Sequence, residues 1–234
     1  MAELILNGYL INRLDYQTFD EVLTFLGEDN KKYVCLSLGS RKIESKNSRN
    51  LFYGCKTEFQ LFESRTEGKM SKFKKSVLLE EPVFEYEADR RLIVLNDVIS
   101  NINNLSFNTY EFYTNKLRII KDNSLDTDSF ILIILKEFCD AIGITLDVNR
   151  CTRCGSHILK TVSFKHLGML CNICTKELFV KPFEVRFNKL IYLLFNNKFD
   201  EIHHYYDLFP YAIKNLKQFV FDTAGIKLTS LNEY

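Results

Sequence analysis

Two Cys-x2-Cys pairs, Cys151/Cys154 and Cys171/Cys174, stand 16 residues apart in the stretch CTRCGSHILKTVSFKHLGMLCNIC. No other feature limits the fold of the chain as strongly. A Cys-x2-Cys turn places two thiolates about one metal ion without strain, and two such turns separated by roughly 15 to 20 residues cross-link a short hairpin around Zn2+ or a metal replacing it. Gly155 suits the tight turn after the second thiolate. The competing reading is four free thiols.

Catalytic zinc keeps one coordination position open for water, whereas four cysteines close the shell, so a bound metal here is structural. None of His157, His166, His203 or His204 is followed by Glu in the H-x-E pattern of zinc deaminases. His157 and His166 read as solvated ribbon residues, and His203 with His204 as a partly exposed helical pair. Phosphate-binding loops, dinucleotide fingerprints and nucleophile elbows are absent from the sequence. Pairs such as Glu80/Glu81 and Asp126/Asp128 fall at element ends, where capping is their ordinary work. The sequence therefore names no catalytic residue, and the chain reads as a non-enzyme.

The remaining cysteines, Cys35, Cys55 and Cys139, follow no spacing rule and read as free thiols in a reducing compartment. The start, MAELILNGYL, has an early Glu3 and no basic region, unlike a secretory signal. The longest aliphatic stretch, Ile131 to Leu135, is far short of the roughly 20 apolar residues that cross a bilayer. These features predict a cytoplasmic protein without a membrane partner.

The organisation changes along the chain. Residues 4–14, 21–26, 31–38, 57–62 and 73–79 are rich in β-branched, aromatic and leucine residues, with turn-formers at 27–30 and 39–40 between them. Five short strands suit an OB-fold or an SH3-like barrel. Beyond Pro82, helical spacing sets in over 88–104 and 110–120. A third helix follows, capped by Asp126 and ended by Gly143, then one over 183–194 and a last one from Pro210 to Gly225. The expected class is α+β and multi-domain. Residues 1–80 are expected to form a β-barrel, and residues 81–234 a helical domain holding a zinc module at about 148–178.

Net charge is only +1, but residues 31–79 carry 12 bases against 4 acids, while residues 1–30 carry 1 against 6. Because 19 asparagines and 5 alanines point to a compositional bias that also inflates lysine, the distribution of charge is more informative than its total. Arg41, Lys42, Lys46, Arg49, Lys56, Arg65, Lys69, Lys72, Lys74 and Lys75 alternate with Phe52, Tyr53, Phe59, Phe62 and Phe73. Cations that follow phosphates and aromatic faces that stack bases are what a single strand requires. The competing reading is a solvated lysine surface over a phenylalanine core.

The order of these pieces resembles the bacterial RecO recombination-mediator family. GYLINRLDYQTFDEVLTFLGEDNKKYVCLSLGSRK is similar to the family's opening at Gly8, Tyr16, Asp20-Glu21, Gly39 and Arg41-Lys42, and Ser48-Arg49 is similar to the basic step after it. FCDAIGITLDVNRCTRCGS is similar to its approach to the metal site through Gly143, Cys151, Cys154 and Gly155. Residues 224–231, AGIKLTSL, are similar to its ending. The chain departs from the pattern at Leu38, at Leu51-Phe52-Tyr53 and at Thr145-Leu146. The resemblance implies an OB-fold that binds single- and double-stranded DNA, followed by a helical domain with a Zn2+ module. It implies annealing of strands coated by single-strand-binding protein and assistance, with RecR, in loading RecA. It further implies docking of the C-terminal tail of single-strand-binding protein on the helical domain, and a place with the nucleoid. On this basis Arg41, Lys42, Lys46 and Arg49, with Lys72, Lys74 and Lys75, are the expected phosphate contacts. The alternative is a zinc-ribbon adaptor for protein partners, without annealing activity. A metal-dependent hydrolase is a third reading.

Overall fold

A computed structural model describes residues 3–46, 48–64, 69–81, 89–104 and 106–234. Pro82, Ala88 at the start of the expected first helix, and Arg65 of the basic stretch lie outside the described residues. The chain divides into two compact units: Met1–Asn101 with Leu105–Ser124, and Ile102–Asn104 with Leu125–Tyr234.

In the first unit, β1 (Glu3–Tyr16), β2 (Asp20–Gly27), β3 (Lys32–Ser37), β4 (Lys56–Phe62) and β5 (Ser71–Leu78) close a barrel in the order β1-β2-β3-β5-β4. All neighbours are antiparallel except β3 and β5, which meet in parallel with Cys35 opposite Ser71. That crossover separates an OB-fold from the SH3-like alternative, and its strands fall where alternation in the sequence puts them. Each strand turns one set of side chains inward, so Leu10, Leu23, Phe25, Phe59, Leu61 and Phe73 share one core, with Phe25 stacked on Phe59 at 4.3 Å. At Gly8, β1 passes so close to β2 that a Cβ would lie 2.1 Å from the carbonyl oxygen of Leu26, which excludes any side chain. Helices α1 (Arg90–Asn101) and α2 (Thr109–Lys121) complete this unit. Tyr113 is fully buried and donates to Asn96 Oδ1 at 2.9 Å. The turn residue Asn30 donates to the Phe107 carbonyl at 2.9 Å and accepts from the Tyr110 N–H at 3.0 Å, fixing the start of α2.

The second unit is built around α3 (Thr127–Ala141). Asp126 caps it, accepting from the Ser129 N–H at 3.0 Å, and Phe130 to Leu135 are buried on every side. A helix apolar all round needs neighbours all round, and contacts come from α5 (Val185–Phe195), α6 (Phe209–Ala224) and the 3-10 segment Phe199–Leu208. Between α3 and α5 the chain forms β6 (Asp147–Cys151), β7 (Leu159–Ser163), β8 (Gly168–Cys171) and the short α4 (Asn172–Glu177). The sheet order is β6-β8-β7. Asn188 of α5, itself buried, holds this ribbon in place. Its Oδ1 accepts from the Val162 N–H at 2.8 Å and the Thr161 hydroxyl at 3.3 Å, and its Nδ2 donates to the carbonyls of Phe183 at 3.1 Å and Lys160 at 3.4 Å. Among the described residues, no helix is long and apolar enough to cross a membrane.

Candidate nucleic-acid interface and metal centre

The seven predicted phosphate contacts occupy two surfaces of the barrel. Arg41, Lys42 and Lys46 lie on the loop after β3, Arg49 lies in the 3-10 turn 48–50, and all four are exposed. The β1–β2 hairpin shapes the loop. The Gly39 N–H donates to Asp20 Oδ1 at 2.7 Å, the Arg41 N–H donates to the Phe19 carbonyl at 3.0 Å, and Lys42 Nζ lies 5.6 Å from the centre of the Phe19 ring. Between hairpin and loop is an open hollow of about 440 Å³, lined by Phe19, Asp20, Leu38, Gly39 and Lys42 among others.

Lys72, Lys74 and Lys75 lie on β5. A bulge opposite Gln60/Leu61 inserts one residue, so that Phe73 and Ser76 both point inward while Lys74 and Lys75 follow each other on the outside. The two surfaces meet at the 3-10 turn, where Asn50 Nδ2 donates to the Ser76 carbonyl at 2.9 Å and sets Arg49 beside β5.

Two of these cations already have carboxylate partners: Arg41 with Asp15 at 3.1 Å, and Lys74 with Glu3 at 2.6 Å. Both pairs are solvent-accessible, where an ion pair contributes about 0–1 kcal/mol, so a phosphate can displace the carboxylate. Lys42, Lys46, Arg49, Lys72 and Lys75 make no ion pair among the described residues.

The aromatics of the basic stretch behave differently from its lysines. Phe59 and Phe73 are buried in the barrel, Tyr53 packs against its core, and Phe62 lies beneath Lys74. Among the described residues of the barrel, the accessible rings are instead Phe19 and Tyr16, 49% and 40% exposed, on the hairpin. Their position at a hairpin tip between polar residues was the available signal. The acidic pair also has a structural role that spacing did not reveal: Asp20 holds the loop, and buried Glu21 accepts two bonds from Arg13 at 3.0 and 3.1 Å.

The structure brings the four ribbon cysteines together, with their Sγ atoms all within 4.8 Å of one another. The first pair is shaped by two backbone bonds, Gly155 N–H to the Cys151 carbonyl and Cys151 N–H to the Ser156 carbonyl, each 2.8 Å, with Gly155 at φ +76°. Cys171 caps α4, its sulfur accepting from the Cys174 N–H at 3.4 Å. Burial opposes ionisation of Cys151, but the backbone N–H groups of Cys171, Cys154 and Arg153 outweigh it and bring its thiol down to about 6. Burial and the neighbouring cysteines push Cys174 up to about 12. Four thiols this close cannot all be thiolates by themselves; a divalent cation relieves that conflict, and the donor set suits one.

The fold and the sites thus define an OB-fold protein whose helical second part bears a four-cysteine module able to hold a metal ion. No family model matches the chain. It is 24% identical over 217 residues to the DNA repair protein RecO of Mesoplasma florum, covering 88% of this chain and 79% of that protein. It is 28% and 25% identical over 181 residues to the DNA repair proteins RecO of Mycoplasma capricolum subsp. capricolum and Mycoplasma mycoides subsp. mycoides, covering 74% of this chain and 72% of each relative. These matches support the RecO family for this chain.

Proposed function

We propose that the chain is a DNA repair and recombination mediator. In this reading it binds single- and double-stranded DNA through the barrel and anneals complementary strands coated by single-strand-binding protein. With RecR it assists RecA loading, and it has no active site of its own. The observation that carries this reading is the cationic pair Arg41 and Lys42 held against an exposed Phe19 on an OB barrel, in a chain whose relatives are named DNA repair proteins. Backbone contacts of this kind position a strand without reading its sequence, as annealing requires.

Residues 1–80 are the nucleic-acid-binding part in this reading. Residues 81–234 carry the ribbon and receive the tail of single-strand-binding protein, and the chain works in the cytoplasm at the nucleoid. Arg41, Lys42, Lys46 and Arg49 contact phosphates, with Lys72, Lys74 and Lys75 extending the track. Cys151, Cys154, Cys171 and Cys174 hold one Zn2+, whose closed thiolate shell supplies a cross-link and no chemistry. The deciding experiment follows annealing of complementary oligonucleotides coated with single-strand-binding protein, without nucleotide or added divalent ion. Annealing at a rate above the protein-free control is expected. Its absence, with DNA binding also lost, would leave the ribbon-adaptor alternative.

A further inference from the structure

The ribbon carries a residue that its own fold does not require. At the end of α4 the chain closes a Schellman turn: the Phe179 N–H donates to the Lys176 carbonyl at 3.1 Å and the Val180 N–H to the Thr175 carbonyl at 3.0 Å. The residue after the cap in this motif adopts the left-handed conformation, which favours Gly or Asn. Here it is Phe179, at φ 52°. Its neighbours Leu178 and Val180 turn inward against the cysteine cluster, while the phenyl ring is 93% exposed. An aromatic side chain thus sits in a seat where glycine would be more stable, and it makes almost no use of burial. Conformational cost and lost burial both argue that packing is not its role.

The charge around the ring indicates what it meets. Residues 150–181 contain six basic residues and one acidic residue, and a tetrathiolate around a divalent ion still leaves this module cationic. Arg150 is paired with Asp147, and Arg153 with Glu177. Lys176, three residues before the ring, and Lys181, two after it, are exposed and make no ion pair among the described residues.

We propose that the ribbon is a second contact for single-stranded nucleic acid, in which Phe179 is the platform for one base and Lys176 and Lys181 hold the adjoining phosphates. This rests on the reading of the chain as a DNA-binding protein. A lone accessible ring flanked by unpaired cations has both parts of single-strand chemistry, a π-face and a phosphate partner, and no requirement for base identity.

The test uses the full metal-loaded protein and fluorescein-labelled oligo(dT), read by anisotropy across a salt series beside thermal denaturation. Phe179→Gly is expected to raise the melting temperature, because glycine accepts φ 52°, while weakening oligo(dT) binding about tenfold. Phe179→Tyr, which keeps a stacking face, should bind as the parent does. Lys176→Gln with Lys181→Gln should flatten the salt dependence by about 1.4 in log–log slope. If Phe179→Gly gains stability and binds oligo(dT) as tightly as the parent, the proposal is wrong, and the ring faces a protein segment instead. A parent protein that does not bind oligo(dT) overturns the DNA reading and this one together. Loss on Arg41→Ala with Lys42→Ala, without loss on the Phe179 variants, overturns this one alone.

Discussion

The barrel encloses a buried cluster of eight residues around Phe25 and Phe59, whereas the buried centre of the ribbon is Leu170 with Cys151, Cys171 and Cys174. The first is a hydrophobic core in the ordinary sense. The second is small for three strands and a six-residue helix, and a metal ion held by its four cysteines would substitute for apolar area. The barrel can therefore carry its binding residues on loops whose chemistry is independent of its stability. In the ribbon, the residues that define the module are also its core.

That contrast can be broken in graded ways. The largest effect should come from Cys151→Ser with Cys154→Ser, or from a strong chelator: metal-site free energies are about 10–16 kcal/mol in comparable small modules. Amide exchange should then show β6 to β8 losing protection while β1 to β5 keep theirs; equal loss in both would contradict the contrast. Within the barrel, Phe59→Ala should cost about 3–5 kcal/mol in denaturant unfolding without reducing metal content. Asn188→Ala is intermediate. It leaves the buried Val162 N–H without its acceptor, for about 1–3 kcal/mol, and should loosen the ribbon while the metal stays bound. Arg41→Ala with Lys42→Ala should move stability by less than about 0.5 kcal/mol. It should nonetheless flatten the salt dependence of single-strand binding by about 1.4, and an unchanged slope would displace the phosphate track from this loop.

The smallest expected effect concerns single thiols. Cys35 in the barrel and Cys139 in α3 are buried, and burial pushes both up to about 12, so iodoacetamide at neutral pH should leave them unlabelled in the native protein. After chelation the four ribbon thiols should label before Cys35 and Cys139. Early labelling of Cys35 would mean that the barrel opens with the ribbon.

What the sequence revealed follows the range of the interactions involved. The five strands and the helices α1, α2 and α5 announce themselves through periodicity, because each buries a face, while α3 and α6 are marked by the residues at their ends, Asp126 and Gly143, Pro210 and Gly225. The four cysteines announce themselves through spacing, because a metal dictates it. Helix α4 has only six residues and no periodic stripe, and nothing local foretells it. The order β1-β2-β3-β5-β4, which separates an OB-fold from its rival barrel, is a property of pairing between distant strands. The same holds for the site: lysines on loops could be read as exposed, but that the ring beside them comes from the β1–β2 hairpin is set by the fold. Phe59 and Phe73 looked like stacking candidates and are core, while Phe19, outside the basic stretch, is the ring beneath Lys42.

The bulge in β5 bears on how such a surface can change over generations. In a regular strand, inserting one residue exchanges inside for outside along everything that follows and would drive charge into the barrel. Here the extra position is absorbed locally, and Phe73 and Ser76 keep their inward places on either side of Lys74 and Lys75. Positive charge can thus be added to this face by insertion as well as by substitution, with the lining of the barrel left untouched.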